Sequence, residues 1–235
     1  MTLKTAAKKA FFIAGTDTNV GKTLIAAGLL VAAKNRGLTT AAVKPVAAGC
    51  EKTEEGLRNA DALLLQSVMT TPLSYDEINP YALEAAIAPH IAAQHEKRSL
   101  SVDRLSGFCR GVLSLADFTL LEGAGGWRVP LNPRETLADL AKNLQLPVIM
   151  VVGIRLGCIN HALLTFEAIA RDGVPVAAWV ANCIDADMPA LQENIDSLRA
   201  RLPVPCLGVV PYLRDKSPNV VATYFDEVEL QKIIQ

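Results

Sequence analysis

Residues 15–23 read Gly-Thr-Asp-Thr-Asn-Val-Gly-Lys-Thr, a complete Gly-x-x-x-x-Gly-Lys-Thr phosphate loop. Backbone N–H groups of such a loop close around phosphate oxygens, and the start of the following helix adds a partial positive charge. Lys22 would reach the terminal phosphates of a nucleoside triphosphate, and the Thr23 hydroxyl would bind magnesium. Asn19, Val20, Gly21 and Leu24 complete the nucleotide-binding run. An apolar stretch at 10–14 precedes the loop and helix formers at 24–34 follow it, which is the strand–loop–helix setting the motif requires.

Four more groups are candidates, three of them where strand patterns end and one at a helix start. Glu122 closes the apolar run 117–121 and precedes Gly123-Ala124-Gly125-Gly126. An acid there would hold magnesium opposite Thr23, directly or through water, the alternative being a solvated acid in a turn. Asp61, just inside a helix start, offers a second oxygen ligand or simply complements the helix dipole. Lys44 ends a strand and precedes Pro45, which fixes an extended exit. It would neutralise charge developing during phosphoryl transfer, or else reach solvent as a surface lysine. Asn182 ends the run 176–181, and its carboxamide suits N6 and N7 of adenine; the alternative is a turn-starting Asn.

These positions need a sheet to hold them. Strand patterns fall at 10–14, 39–44, 117–121, 147–153, 175–181 and 205–210. Helical patterns fall between them, near 22–35, 59–68, 99–115, 135–145, 160–172 and 188–201. That alternation predicts an α/β fold, a doubly wound, mainly parallel sheet with helices on both faces, in a single domain over 1–235 with a loose tail at 1–9. Right-handed crossovers place every strand's carboxyl end on one edge. Residues 46–58 and 70–98 break the rhythm and read as long loops serving a ligand or partner. A hydrophobic fraction of 51% fits a sheet covered on both faces. No segment approaches the ~18 apolar residues of a membrane span. Lys4, Lys8 and Lys9 lead straight into a short strand, unlike a secretion signal. Net charge is −1 without a basic cluster, which argues against a nucleic-acid partner. Five cysteines with no C-x-x-C pair point to free thiols in a reducing cytoplasm.

Several segments occur in a telling order: the Thr-Asp-Thr phosphate loop, Lys44-Pro45-Val46, Gly56-Leu57-Arg58-Asn59-Ala60-Asp61, and Glu122-Gly123-Ala124-Gly125-Gly126-Trp127. Gly157-Cys158-Ile159-Asn160-His161-Ala162 and Trp179-Val180-Ala181-Asn182 follow. From about residue 11 to about 213 the chain resembles the dethiobiotin synthetase family, of P-loop NTPase type. The resemblance implies a cytoplasmic homodimer with active sites at the subunit interface. It also implies that 7,8-diaminononanoate, CO2 (or bicarbonate) and MgATP are its substrates. The amine becomes a carbamate, ATP converts it to a carbamic-phosphoric anhydride, and the second amine closes a cyclic urea. Lys22, Lys44 and Thr18 would then be the catalytic groups, and Thr23, Asp61 and Glu122 would organise magnesium. Gly123, Ala124 and Gly125 would line the γ-phosphate; Asn182, Pro211, Tyr212 and Leu213 would hold adenine. Thr18, Lys44 and Ala48 would meet substrate, and Gly157, Cys158, Ile159 and Asn160 would bind its carboxylate from the neighbouring subunit at a helix start. Asn160 also suits a plain N-cap, and His161 reads as packed or capping.

The chain departs from the family pattern at three places. Asn19 stands where many relatives carry Glu, and Ala48 where a Ser usually contacts substrate. The stretch Ala85-Ala86-Ile87-Ala88-Pro89-His90 keeps only Pro-His of a more polar segment. Losing one neutral hydrogen bond costs about 0.5–1.5 kcal/mol, which implies weaker substrate binding or an altered specificity rather than lost activity. Two other classes share the loop. Nucleotide-switched dimeric ATPases of the partitioning group carry a second lysine near the loop's start, where this chain has Thr16. Amide-forming ligases of the cobyrinate diamide type carry a glutaminase segment absent from this sequence.

Overall fold

Residues 8–234 are described in a computed structural model. The first strand, β1 (Lys9–Gly15), delivers the phosphate loop, and helix α1 (Lys22–Lys34) leaves it for β2 (Thr40–Val43). The segment before the next long strand holds β3 (Val46–Ala47), a hairpin of β4 (Glu51–Thr53) and β5 (Gly56–Arg58), then α2 (Ala60–Val68) and α3 (Tyr75–Ile78). It ends with β6 (Tyr81–Ala82), α4 (Pro89–His95) and α5 (Val102–Leu113). The remainder alternates: β7 (Phe118–Glu122), α6 (Leu137–Asn143), β8 (Val148–Ile154), α7 (Cys158–Arg171) and β9 (Val176–Cys183). Helix α8 (Leu191–Arg201) and β10 (Cys206–Val210) complete the alternation, followed by α9 (Pro218–Ala222) and α10 (Glu227–Ile234).

Six strands form one parallel sheet in the order β10-β9-β8-β1-β7-β2, with Phe12 opposite Leu121 on one side and Val148 on the other. Apolar side chains leave both faces of these strands, so each face must be covered. On one, Ile13, Leu120 and Val151 pack with Ile25 and Leu29 of α1, Val221 of α9 and Ile233 of α10. On the other, Phe12, Leu121 and Val152 meet Leu105 of α5, Leu140 of α6, Ile169 of α7 and Leu198 of α8. The doubly wound architecture thus matches the expectation from the strand–helix rhythm.

Residues 46–58 and 70–98 are not the plain loops that the sequence suggested. β3 and β6 pair in parallel as a two-residue ladder, and β4 and β5 form an antiparallel hairpin with Glu51 opposite Arg58. Helices α9 and α10 lie beyond the helical patterns expected from the sequence. Of the expected tail at 1–9, residues 1–7 lie outside the described residues, and Lys9 already belongs to β1. Among the described residues no helix is long and apolar enough to cross a membrane. The five cysteines are unpaired, and burial pushes the Cys109 thiol up to about 12.

Candidate active site

The chain runs outward from β1 to β2, returns to β7, then crosses to β8 on the opposite side. Ligands of such sheets bind at this reversal, beyond the carboxyl ends of the strands. Apart from Val20, Gly123 and the start of α7, the candidate groups named above stand around two adjoining cavities there. The larger, of about 1110 Å3, is lined by Thr18, Lys22, Thr23, Lys44, Asp61 and Glu122 among others. A smaller one of about 240 Å3 lies against Asn182, Pro211, Tyr212 and Leu213.

The phosphate loop is folded by its own polar groups. Asp17 accepts from its neighbour's amide, Thr18 N, at 2.7 Å and from Arg155 Nη2 at 2.5 Å, which ties the loop to the end of β8. Gly21 takes φ +88°, and a Cβ there would lie 2.1 Å from Asn182 Nδ2, so only glycine fits. Lys22 is buried and donates to the Asp17 carbonyl at 3.0 Å. Burial and then the nearby Lys44 charge lower its pKa to about 8, against the opposing pull of Glu122, Asp61 and Asp17.

Lys44 lies at the centre of the acids. Its Nζ is 2.5 Å from Glu122 Oε1, 2.9 Å from Asp61 Oδ2 and 3.4 Å from the Gly123 carbonyl. Burial would lower its pKa, but the charges and hydrogen bonds of Glu122 and Asp61 outweigh it and hold the ammonium above its ordinary value. Burial likewise disfavours the charged Asp61 carboxylate, yet the charge and hydrogen bond of Lys44 pull its pKa below the usual carboxylate range. Thr23 Oγ1 donates to Glu122 Oε1 at 2.8 Å. Glu122 Oε2 is buried without a hydrogen-bond partner among the described residues. An orphaned carboxylate oxygen beside a threonine hydroxyl and a second acid fits a hard divalent cation that completes its shell with phosphate and water. The expected alternatives, a surface lysine at 44 and a solvated acid at 122, do not apply, since both are buried.

The unread segment explains how Lys44 and Asp61 come to face each other. Asn79 Nδ2 donates to the Lys44 carbonyl at 2.7 Å, and the Tyr75 hydroxyl donates to Asn79 Oδ1 at 3.1 Å. That hydroxyl accepts from Asn59 N at 2.7 Å, while Asn59 Oδ1 caps α2 through Asp61 N at 3.0 Å. A buried chain of hydrogen bonds therefore runs from the end of β2 to the start of α2.

In the smaller cavity Asn182 Nδ2 donates to the Val20 carbonyl at 2.8 Å, leaving its second N–H and its carbonyl oxygen for a ligand. Val20 itself is buried and lines neither cavity, and Gly123 contributes its carbonyl near Lys44 rather than a wall. Ala124 and Gly125 line the larger cavity, as do Ala48 and the apolar stretch 86–89. Gly157, Cys158, Ile159 and Asn160 form the start of α7 and line neither cavity of their own chain; nor does half-buried His161. The sequence reading missed Arg128 and Lys216. Arg128 lines the larger cavity and pairs with Asp172 at 2.8 Å, where Trp127 Nε1 also donates at 2.7 Å. Lys216 touches both cavities. Lone cations in loops carry no spacing that would have marked them.

Comparison with known proteins places this site in context. The chain is 15% identical to a ParA family ATPase from Chlorobium tepidum, TM-score 0.56, over 97% of both chains. It is 16% identical to the Aquifex aeolicus MinC:MinD cell division protein complex, TM-score 0.55, over 96% of this chain and 93% of that one. These likenesses are of fold. A family profile described as an AAA domain matches residues 9–220. Identity is 58% to the ATP-dependent dethiobiotin synthetase BioD of Pseudomonas aeruginosa, over 92% of this chain and 96% of that protein. It rises to 67% for the protein of the same name from Cellvibrio japonicus, over 93% of this chain and 96% of its relative. With two residues in three shared along nearly the whole sequence, the chain belongs to the ATP-dependent dethiobiotin synthetase family.

Proposed function

We propose that this protein uses ATP to close 7,8-diaminononanoate and CO2 into dethiobiotin. One amine lone pair attacks CO2 and loses a proton, giving a carbamate. A carbamate oxygen attacks the γ-phosphorus, the bond to the β-phosphate oxygen breaks and ADP leaves. The second amine then attacks the carbamoyl carbon, phosphate departs with its oxygen, and a proton is released as the urea ring closes. The observation that carries this reading is the hydrogen-bonded grouping of buried Lys44 and Glu122 with half-buried Asp61 and Thr23 at the phosphate loop.

Lys22 would hold the terminal phosphates and give up its bond to the Asp17 carbonyl as they arrive. Lys44 would turn from its two acids toward the carbamate and the moving phosphoryl group, where a fixed charge in a water-poor site is most effective. Magnesium, held by Thr23, Asp61 and Glu122, would neutralise phosphate charge. Thr18 would orient the carbamate, and Asn182 with Tyr212 would seat the adenine. The apolar wall at Ala48, Ala86, Ile87 and Ala88 suits an aliphatic chain better than a polar one. The carboxylate end would reach the start of α7 of a second copy, since no part of that helix start lines the cavity of its own chain.

Labelled bicarbonate supplied with ATP and the diamine should leave its label in the cyclic product, as mass spectrometry would read directly. ADP release indifferent to both bicarbonate and diamine would refute the proposal and favour a nucleotide-switched ATPase.

A further inference from the structure

The two cavities share four lining residues: Asn19, Gly21, Leu24 and Lys216. The first three belong to the phosphate loop and the start of α1. Lys216 comes from a different part of the chain, the segment between β10 and α9. We infer that the Lys216 ammonium contacts the α-phosphate of the bound nucleotide, closing the phosphate loop's cradle.

The connectivity of a nucleotide supports this position. With the terminal phosphates at Lys22 and the base at Asn182, the seam between the cavities must hold the ribose and the α-phosphate. Only the α-phosphate is charged there. Lys216 is exposed and joins none of the ion pairs among the described residues. Its neighbour Asp215 is occupied in receiving Ser217 N at 3.0 Å. The segment is fixed at both ends. Val210 ends β10, and Pro218 starts α9, which docks on α1 where a Cβ at Gly28 would meet Val221 Cγ1 at 2.5 Å. A cation on a strap anchored to the phosphate-binding helix is held near its ligand before the ligand arrives.

The inference rests on the nucleotide-binding part of the proposed function and not on the diamine chemistry. Lys216→Ala should weaken ATP, ADP and AMP by the same factor, about tenfold, because each carries an α-phosphate. Adenosine, measured by competition against a fluorescent nucleotide, should bind the variant and the parent equally, and Lys216→Arg should restore most of the loss. Unchanged AMP affinity would overturn the inference. Equal weakening of adenosine would also overturn it, because the loss would then reflect loop shape rather than charge. Should the parent bind ATP yet make no cyclic product, the reaction proposal fails while these comparisons still decide the role of Lys216.

Discussion

In the reaction proposed above, Lys44 is the residue on which the chemistry and the stability of the site would meet. It is held between Glu122 and Asp61, so replacing it has two consequences that must be separated. Lys44→Leu leaves Glu122 buried without a counter-charge, which costs about 3–5 kcal/mol of stability. Lys44→Gln keeps a hydrogen-bond donor and removes the charge alone. The glutamine variant should melt closer to the parent than the leucine variant. Its kcat at saturating substrates should nonetheless fall roughly 100- to 1000-fold, the usual cost of removing one charge-stabilising donor. A kcat within a few-fold of the parent would reduce Lys44 to a structural counter-ion. The sequence placed this lysine correctly at a strand end beside Pro45. It gave no sign that lysine and acids would touch, because their meeting depends on the hydrogen-bond chain through Tyr75 and Asn79.

Among the elements, the amino-terminal edge of the sheet has its own fastening, away from the site. Asp117 Oδ2 receives both Thr39 N at 2.9 Å and Thr39 Oγ1 at 2.6 Å, and Asp117 N donates back to Thr39 Oγ1 at 2.9 Å, locking β2 to β7. These bonds from Thr39, side chain first, lower the Asp117 pKa. Its ionised form is therefore favoured by folding, and that stability is present above the unfolded value of about 3.9 and lost as pH falls through the lower folded value. Asp117→Asn should cost roughly 1 kcal/mol at pH 7, and urea unfolding at pH 3 should show that difference shrinking. The same difference at both pH values would rule out the charged clamp. The elements themselves were legible wherever burial imposed a period. All six sheet strands were read to within two residues, because each is an apolar run bounded by turns. The hairpin strand Glu51-Lys52-Thr53 is exposed throughout, and the β3–β6 ladder joins two-residue segments distant in sequence; neither leaves a pattern in the local chain.

At the scale of the whole molecule, the start of α7 is the one candidate region that a single chain leaves away from its cavities. If that helix start serves a second copy, one defect in each chain can be complemented. Lys22→Ala chains mixed with Asn160→Ala chains should regain roughly a quarter of parental activity at equal proportions, since half of the dimers would then hold one intact site. No recovery in verified mixed dimers would show each chain to be self-sufficient. The sheet order has a further consequence, for the timing of synthesis. β1 lies at the centre, yet its neighbours β7 and β8 are translated long after it, and the outer face of α1 is covered by Val221, Phe225, Leu230 and Ile233 from the far end of the described chain. The phosphate loop thus leaves the ribosome early and cannot be fixed in place until nearly every other residue has followed. Until then its apolar flanks stay open to the holding chaperones that meet nascent chains.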